Sequence, residues 1–560
     1  MADWKSALRQ IKTSLSGKKE AQESREPASR WSAQPPHEAK TLVQNARPLA
    51  KAGSPAISKI LAVPHTAPSK PFAPSMRPAL VPASVSSTPG PMLEASPKPK
   101  GIPTTVHAAF ASTLARQAYF KMPERWVAEG VRTQLVPGND NTAVDVVIGL
   151  DFGTSYTKAA IGLRDQIIPV TWEGVSDMPE RYLLPSEYSV LDDGSCQLGQ
   201  APSVSHEKVR QRLKHPFIDP AVSSASIVAA SIFVALVLRY IRAWIFHRHG
   251  NKIGRSKVRW ILNIGAPSNG LENARLERAY RRLAASAWIL SQTEADIDTE
   301  IARQVTDQAS IDQLPDELID LCVRPEFVAQ IAGYVQSAQR RPGLHALVDV
   351  GGGTLDVVTF IVHEKDGEDV FPFLVPEVRA LGTQLLDANR LVDASKLGEI
   401  RPWDGLAPVL GAAEFARTNA LSEDYVCLRD GIFWEAVRDV VKGVLHKTKV
   451  RRYRLSSAWT DGLPTFFTGG GATIDGYRKS VKEGGECHAK VVNLMPLPFH
   501  PRLAEFTGGL EAYQRISVAC GLALDAFALG HIRPAREVED DLAPRQPVLE
   551  RPGHEELYAR

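Results

Sequence analysis

The chain has 560 residues, 44% of them hydrophobic, with 66 Lys+Arg against 63 Asp+Glu. That length gives room for roughly two to four domains, and the apolar content is that of a protein with sizeable buried cores, which excludes a wholly disordered or fibrous chain. Charge is uneven: residues 1 to 140 carry 19 Lys+Arg and 9 Asp+Glu, net +10, and the remainder carries 47 and 54, net −7. A basic extension on a mildly acidic body permits contact with nucleic acid, an anionic membrane or an acidic protein, beside the plainer reading of a soluble basic linker.

In chain order, residues 1–20 come first. Trp4, Leu8, Ile11 and Leu15 share one face of a short helix, ringed by Lys5, Arg9, Lys12, Lys18 and Lys19. Such a segment is expected to dock on a partner protein or lie on a membrane surface; the alternative is a frayed start with accidental periodicity. It has no continuous apolar core, so no secretory signal is expected. Residues 21–105 are expected to be a disordered Pro/Ala/Ser-rich linker, because 16 prolines fall in the 77 positions from 27 to 103. Residues 106–143 read as a semi-ordered connector. The five cysteines are scattered without metal-ligand spacing, which predicts a reducing, cytoplasmic setting with no disulfides and no zinc.

The ordered body is expected from about 144 to 535. Its first half, 144–345, opens with strands at 146–150, 157–162 and 167–172; its second, 346–535, with strands at 346–350, 355–362 and 370–378. Three strands then helices, twice over, predicts two related α/β lobes. The stretch 221–246 is apolar enough to raise a membrane span, but Arg239 and Arg242 interrupt it and the strand pattern "VRWILNIGAP" follows, so a buried helix is expected and no transmembrane segment. Residues 536–560 read as a flexible tail.

Each half carries a polar turn between apolar strands: "DFGTSYTK" from Asp151 to Lys158 and "DVGGGTLDV" from Asp349 to Val357. Glycines let backbone N–H groups converge on an anion, and Thr and Ser hydroxyls add donors. A carboxylate in such a turn repels phosphate unless Mg²⁺ and its waters lie between them. Lys158 can neutralise phosphate charge. A third stretch, "PTFFTGGGATIDGY" from 464 to 477, permits close backbone approach to a flat or charged ligand. A single such turn would be an ordinary hairpin; two, about 200 residues apart, point to a phosphate clamp.

Together these motifs resemble the actin, sugar-kinase and heat-shock ATPase superfamily, and within it the nucleotide-binding domain of DnaK-type heat-shock chaperones. The resemblance covers roughly residues 145 to 535. It implies two duplicated lobes of the actin-like ATPase fold flanking a nucleotide cleft, with ATP or ADP and Mg²⁺ as cofactors. Asp151 and Asp349 would hold hydrated Mg²⁺, and Asp349 or Glu326 would orient or deprotonate the attacking water. Gly153, Thr154, Ser155, Gly351, Gly352, Gly353 and Thr354 would contact the β- and γ-phosphates. Gly469, Gly470 and Gly471 would lie against the nucleoside, with Glu414 and Arg417 as ribose and base contacts. "RPEFVAQIAGYV" from 324 and "RISVACGLALDAFAL" from 515 resemble the two helices that connect the lobes.

Departures from the family pattern are also present. Lys158 matches actin-like members better than the chaperones. Gln211 falls where the chaperones carry a catalytic lysine, with Lys208 and Lys214 nearby, and Thr473 replaces an arginine that packs on the base. Both replacements argue against fast hydrolysis and tight ATP affinity. No peptide-binding domain is expected after residue 530. The expected activity is therefore a slow ATPase that switches or regulates a partner reached by the N-terminal segment. A filament-forming ATPase, a nucleotide-binding pseudoenzyme and a small-molecule kinase remain as alternatives.

Overall fold

The computed structural model describes residues 139–172, 181–199, 204–218, 221–267, 273–293, 296–309, 318–365, 368–391, 409–525, 531–533 and 535. The readings of residues 1–20, 21–105, 106–138 and 536–560 lie outside them. The described part is mixed α/β, built on two large sheets and one small one.

In the first sheet, β1 (Asn139–Asp151), β2 (Tyr156–Leu163) and β3 (Gln166–Pro169) form an antiparallel meander. A short β4 (Leu184–Pro185) pairs with β2. The chain then builds a small sheet from β5 (Tyr188–Val190), β6 (Cys196–Leu198) and β7 (Val209–Arg210). It returns to add β8 (Ser256–Ala266) parallel to β1, and β9 (Leu318–Pro325) parallel to β8. Strand β1 starts earlier than the expected body, inside the connector, because its first residues find partners at the start of β8.

The second sheet repeats this plan. A meander of β10 (Gly343–Val350), β11 (Leu355–Lys365) and β12 (Glu368–Arg379) is followed by β13 (Leu463–Thr468) parallel to β10 and β14 (Val492–Met495) parallel to β13. A last strand, β15 (His531–Arg533), pairs with β12. Omitting β4 and β15, both sheets have the order third, second, first, fourth, fifth.

Central strands covered on both faces read as unbroken apolar runs. In β10, Ala346, Val348 and Val350 enter an outer core with the helices Glu423–Lys447 and Asp475–Glu486, while Leu347 faces the opposite way. Leu347 joins an inner core with Ala160 and Ile167 of the first sheet and with the helices Glu326–Val335 and Leu510–Leu522. Those two helices cross where an added Cβ on Gly521 would fall 1.8 Å from the Ala329 carbonyl oxygen. Only glycine permits that approach.

The apolar stretch at 221–246 is the buried helix Ser224–Ile253, followed directly by β8 as its sequence indicates. It is the one helix among the described residues long and apolar enough to cross a membrane, and most of it is buried inside the protein. Its two interrupting arginines have structural work. Arg239 and Arg242 reach the C-terminal end of the helix Ala274–Ser291, whose last carbonyls lack intrahelical partners. Arg239 Nη2 donates to Thr293 O at 2.6 Å, and Arg242 Nη2 donates to Ser291 O at 2.6 Å. Burial lowers the Arg239 pKa to about 10, a shift partly offset by Asp296, which leaves the guanidinium charged at neutral pH.

The helix crossing sets a test. Gly521→Val is expected to cost about 3 kcal/mol or more in chemical denaturation, because the new Cβ meets backbone. Gly431→Ala, in an open position of the helix Glu423–Lys447, is expected to stabilise by about 0.5–1 kcal/mol in the same measurement.

Candidate functional site

Strand register builds the site. In the first hairpin Asp151 lies directly opposite Lys158. The Lys158 ammonium donates to Asp151 Oδ2 at 2.9 Å. In the second hairpin the equivalent pair is Asp349 opposite Asp356. The two hairpins therefore place charge at matching positions, but a lysine in one is replaced by an acid in the other.

The hairpin tips meet. An added Cβ on Gly352 would fall 2.1 Å from Ser155 Oγ, and one on Gly353 would fall 2.9 Å from Thr154 Oγ1. Gln384 Nε2 donates to the same Ser155 hydroxyl. It stands in the first turn of the helix Thr383–Arg390, whose start braces the second tip: Thr383 N donates to Gly351 O at 3.0 Å and Gln384 N to Gly352 O at 2.9 Å. The glycine triplet closes another side. Gly469 has φ +87°, and a side chain there would strike Asp349 Oδ1. Gly470 faces Arg515, whose guanidinium lies 5.5 Å from the centre of the Tyr156 ring.

Glu326 enters from the first residue of the helix Glu326–Val335, with Gly265 leaving room for it. Its Oε1 accepts a 2.5 Å bond from the Lys214 ammonium. Four residues along the same helix, Gln330 Nε2 donates to Asp349 Oδ2 at 2.8 Å and to Thr468 Oγ1 at 3.2 Å. Gln211 does not enter this cluster; it donates to Glu187 Oε2 at 2.7 Å. Lys214, three residues on, supplies the ammonium instead.

Burial dominates the electrostatics. It pushes the carboxyls of Glu326 and Asp349 upward, Lys214 and Gln330 respectively acting against the shift. Asp356 is pushed furthest, by burial and then by the charges of Glu326 and Asp349. For Lys214, burial works against the ammonium, but Glu326, Tyr280 and Asp151 outweigh it and hold the charge. With all groups ionised, four carboxylates (Asp151, Glu326, Asp349, Asp356) face two ammoniums (Lys158, Lys214), an excess of two negative charges. Asp356 Oδ1 and Gln330 Oε1 are buried without a hydrogen-bond partner. A divalent cation fits this deficit of positive charge and donors. Among the described residues no three His, Cys, Asp or Glu side chains are grouped as a direct metal shell, so water or ligand oxygens would complete the coordination.

The sequence-predicted residues divide accordingly. Asp151, Lys158, Gly153, Thr154, Ser155, Glu326, Asp349, the three glycines 351–353, Thr354 and the triplet from Gly469 converge. Glu414 and Arg417 point outward from the helix Ala412–Thr418, which buries Phe415 and Ala416. No described contact ties either side chain to the carboxylate cluster. Sequence reading missed Lys214, Gln330, Asp356 and Gln384. Asp356 was within reach, since it follows Asp349 by the same seven residues that separate Lys158 from Asp151.

No family model matches this chain, and a comparison with curated proteins gave no significant match.

The Asp356 carboxyl gives a pH test. Its folded-state pKa lies above the unfolded one, so the unfolded state loses its proton first. Stability from this group is greatest below the unfolded value and falls as pH rises toward the folded value. Asp356→Asn is therefore expected to raise the Tm of the ligand-free protein at pH 7 by a few degrees and to flatten its decline above pH 4, read by calorimetry across pH.

Proposed function

We propose that this chain is an Mg-ATP-binding, slowly hydrolysing ATPase of the actin and heat-shock type, with the nucleotide held between two related lobes. The observation that carries this reading is the meeting of two glycine-rich hairpin tips, each within a meander of the same strand order, beside a partly buried cluster of four carboxylates and two lysines. Backbone N–H groups at the tips suit phosphate, and the acids beside them suit phosphate only with a divalent cation between.

In this reading Lys158 and Lys214 offset charge on the phosphates, while Thr154, Ser155 and Thr354 hold them by hydroxyl or backbone. Magnesium, held by Asp151 and Asp349 through water, would supply charge neutralisation of the β- and γ-phosphates. Gln330 fixes the Asp349 carboxylate, and Glu326, oriented by Lys214, or Asp349 itself takes the proton of the attacking water. Because Lys214 already reaches Glu326, the loss of a lysine at Gln211 does not by itself make a binding-only protein. The glycine triplet would receive the nucleoside. Glu414 and Arg417 reach the ribose or base only if the ligand bridges to their helix. Lobe angle, set by which nucleotide is bound, would be the signal read by a partner, which the N-terminal segment would recruit.

The test is Mg-dependent ATP turnover by the full chain at several protein concentrations, beside Asp349→Ala and Lys214→Ala. Slow turnover linear in protein is expected, abolished by EDTA and reduced by about a hundredfold or more in either variant. Normal turnover in Asp349→Ala would overturn the site. Turnover that rises only above a threshold concentration would replace the switch with a filament.

A further inference from the structure

The helix Glu423–Lys447 runs into one π-helical turn, Thr448–Arg452, at the far end of the second sheet. There β13 begins, with Leu463 N bonded to Val491 O, and it leads away toward Gly469 at the site. The turn is firmly held. Thr448 and Thr359 share a buried hydroxyl bond of 2.6 Å, Lys449 Nζ donates to His488 O at 2.7 Å, and the Trp459 indole donates to Tyr453 O at 2.9 Å. Yet this rigid segment exposes apolar groups: Leu455 is 80% exposed and Val450 58%, with Val491 beside them at 43%. Arg451, Arg454 and Lys490 are exposed among them. None of these three cations has a carboxylate partner among the described residues.

The chain itself arrives here. After β15 it passes through buried Ala535, whose carbonyl oxygen accepts a 3.3 Å bond from Arg452 Nη1. The next residues read "REVEDDL": Glu537, Glu539, Asp540 and Asp541 interleaved and flanked by Val538 and Leu542. Six residues beyond Ala535 reach at most about 20 Å, so the patch around Arg452 is within range of these acids. The charges are complementary, the apolar residues match in kind, and the short tether gives an effective concentration on the order of millimolar.

We propose that residues 537–542 dock in cis on the surface formed by Val450, Arg451, Arg454, Leu455, Lys490 and Val491. Acid–base pairs seat the segment, and Val538 and Leu542 cover the exposed Val450 and Leu455. Exposed ion pairs are individually weak and screened by salt, so the docked segment is held reversibly. An external anionic partner would have to displace it, which makes the segment a competitor for its own surface.

The test is amide hydrogen exchange of residues 450–456 and 537–542 in the full chain at low salt. It compares the native protein with Arg451→Glu/Arg454→Glu, with Asp540→Lys/Asp541→Lys, and with all four changes combined. Exchange in both segments is expected to be roughly tenfold slower in the native protein than in either charge reversal, to be restored in the combined variant, and to lose the difference in about 0.5 M salt. Unchanged exchange in the Asp540→Lys/Asp541→Lys variant would overturn the proposal, as would failure of the combined variant to restore protection. Protection that grows with protein concentration would also overturn it, by assigning the surface to a second copy.

Discussion

Four buried or half-buried carboxylates around two lysines set the terms for everything near them. Each ion taken out of water costs several kcal/mol unless it is paired and hydrogen-bonded. The protein meets part of that cost internally, through Lys158 on Asp151, Lys214 on Glu326 and Gln330 on Asp349. Asp356 is left with one oxygen unpartnered and a raised pKa. Positive charge and hydrogen-bond donors brought to this cluster would relieve that cost.

Holding those groups in place requires two sheets to approach across a thin layer. The helices Glu326–Val335 and Leu510–Leu522 form that layer and share one core with both sheets. Their close crossing at Gly521 and Ala329 lets them pack nearly backbone to backbone. The first helix also carries Glu326 and Gln330, so the element that joins the sheets is the element that aims two of the polar groups. Any movement of one sheet against the other would be felt at Asp349 through Gln330.

Much of this was legible in the residues. Apolar strands punctuated by Asp-x-Gly-x-Thr and Asp-x-Gly-Gly-Gly-Thr gave both meanders within a few residues, because alternating burial and glycine turns are local signals. The buried character of 221–246 was also readable, from Arg239 and Arg242 at helical spacing. Lys214 was not, because its place depends on the turn after β7, where Arg212 adopts φ +56°. No sequence pattern announces which of two nearby lysines such a turn will carry inward. Glu414 and Arg417 stand on the exposed side of their helix, and the residues alone do not say what that side would meet. Gln330 and Gln384 were hidden for a third reason, since an amide in a helix carries no spacing signal until its partner across the fold is known.

The repeated strand order makes the two hairpins near-equivalents, and two equivalent tips would present the same face to a molecule placed either way round. The exchange of Lys158 for Asp356 at matching register positions removes that equivalence. One hairpin carries a lysine at its second strand and the other a carboxyl. The meeting of the two tips therefore has an electrical direction although its backbone has almost none. A molecule with an anionic end and a bound cation would find one orientation favourable and its reverse opposed by like charges at both hairpins. The repeated strand order supplies the frame, and a single divergent position in each hairpin supplies its polarity.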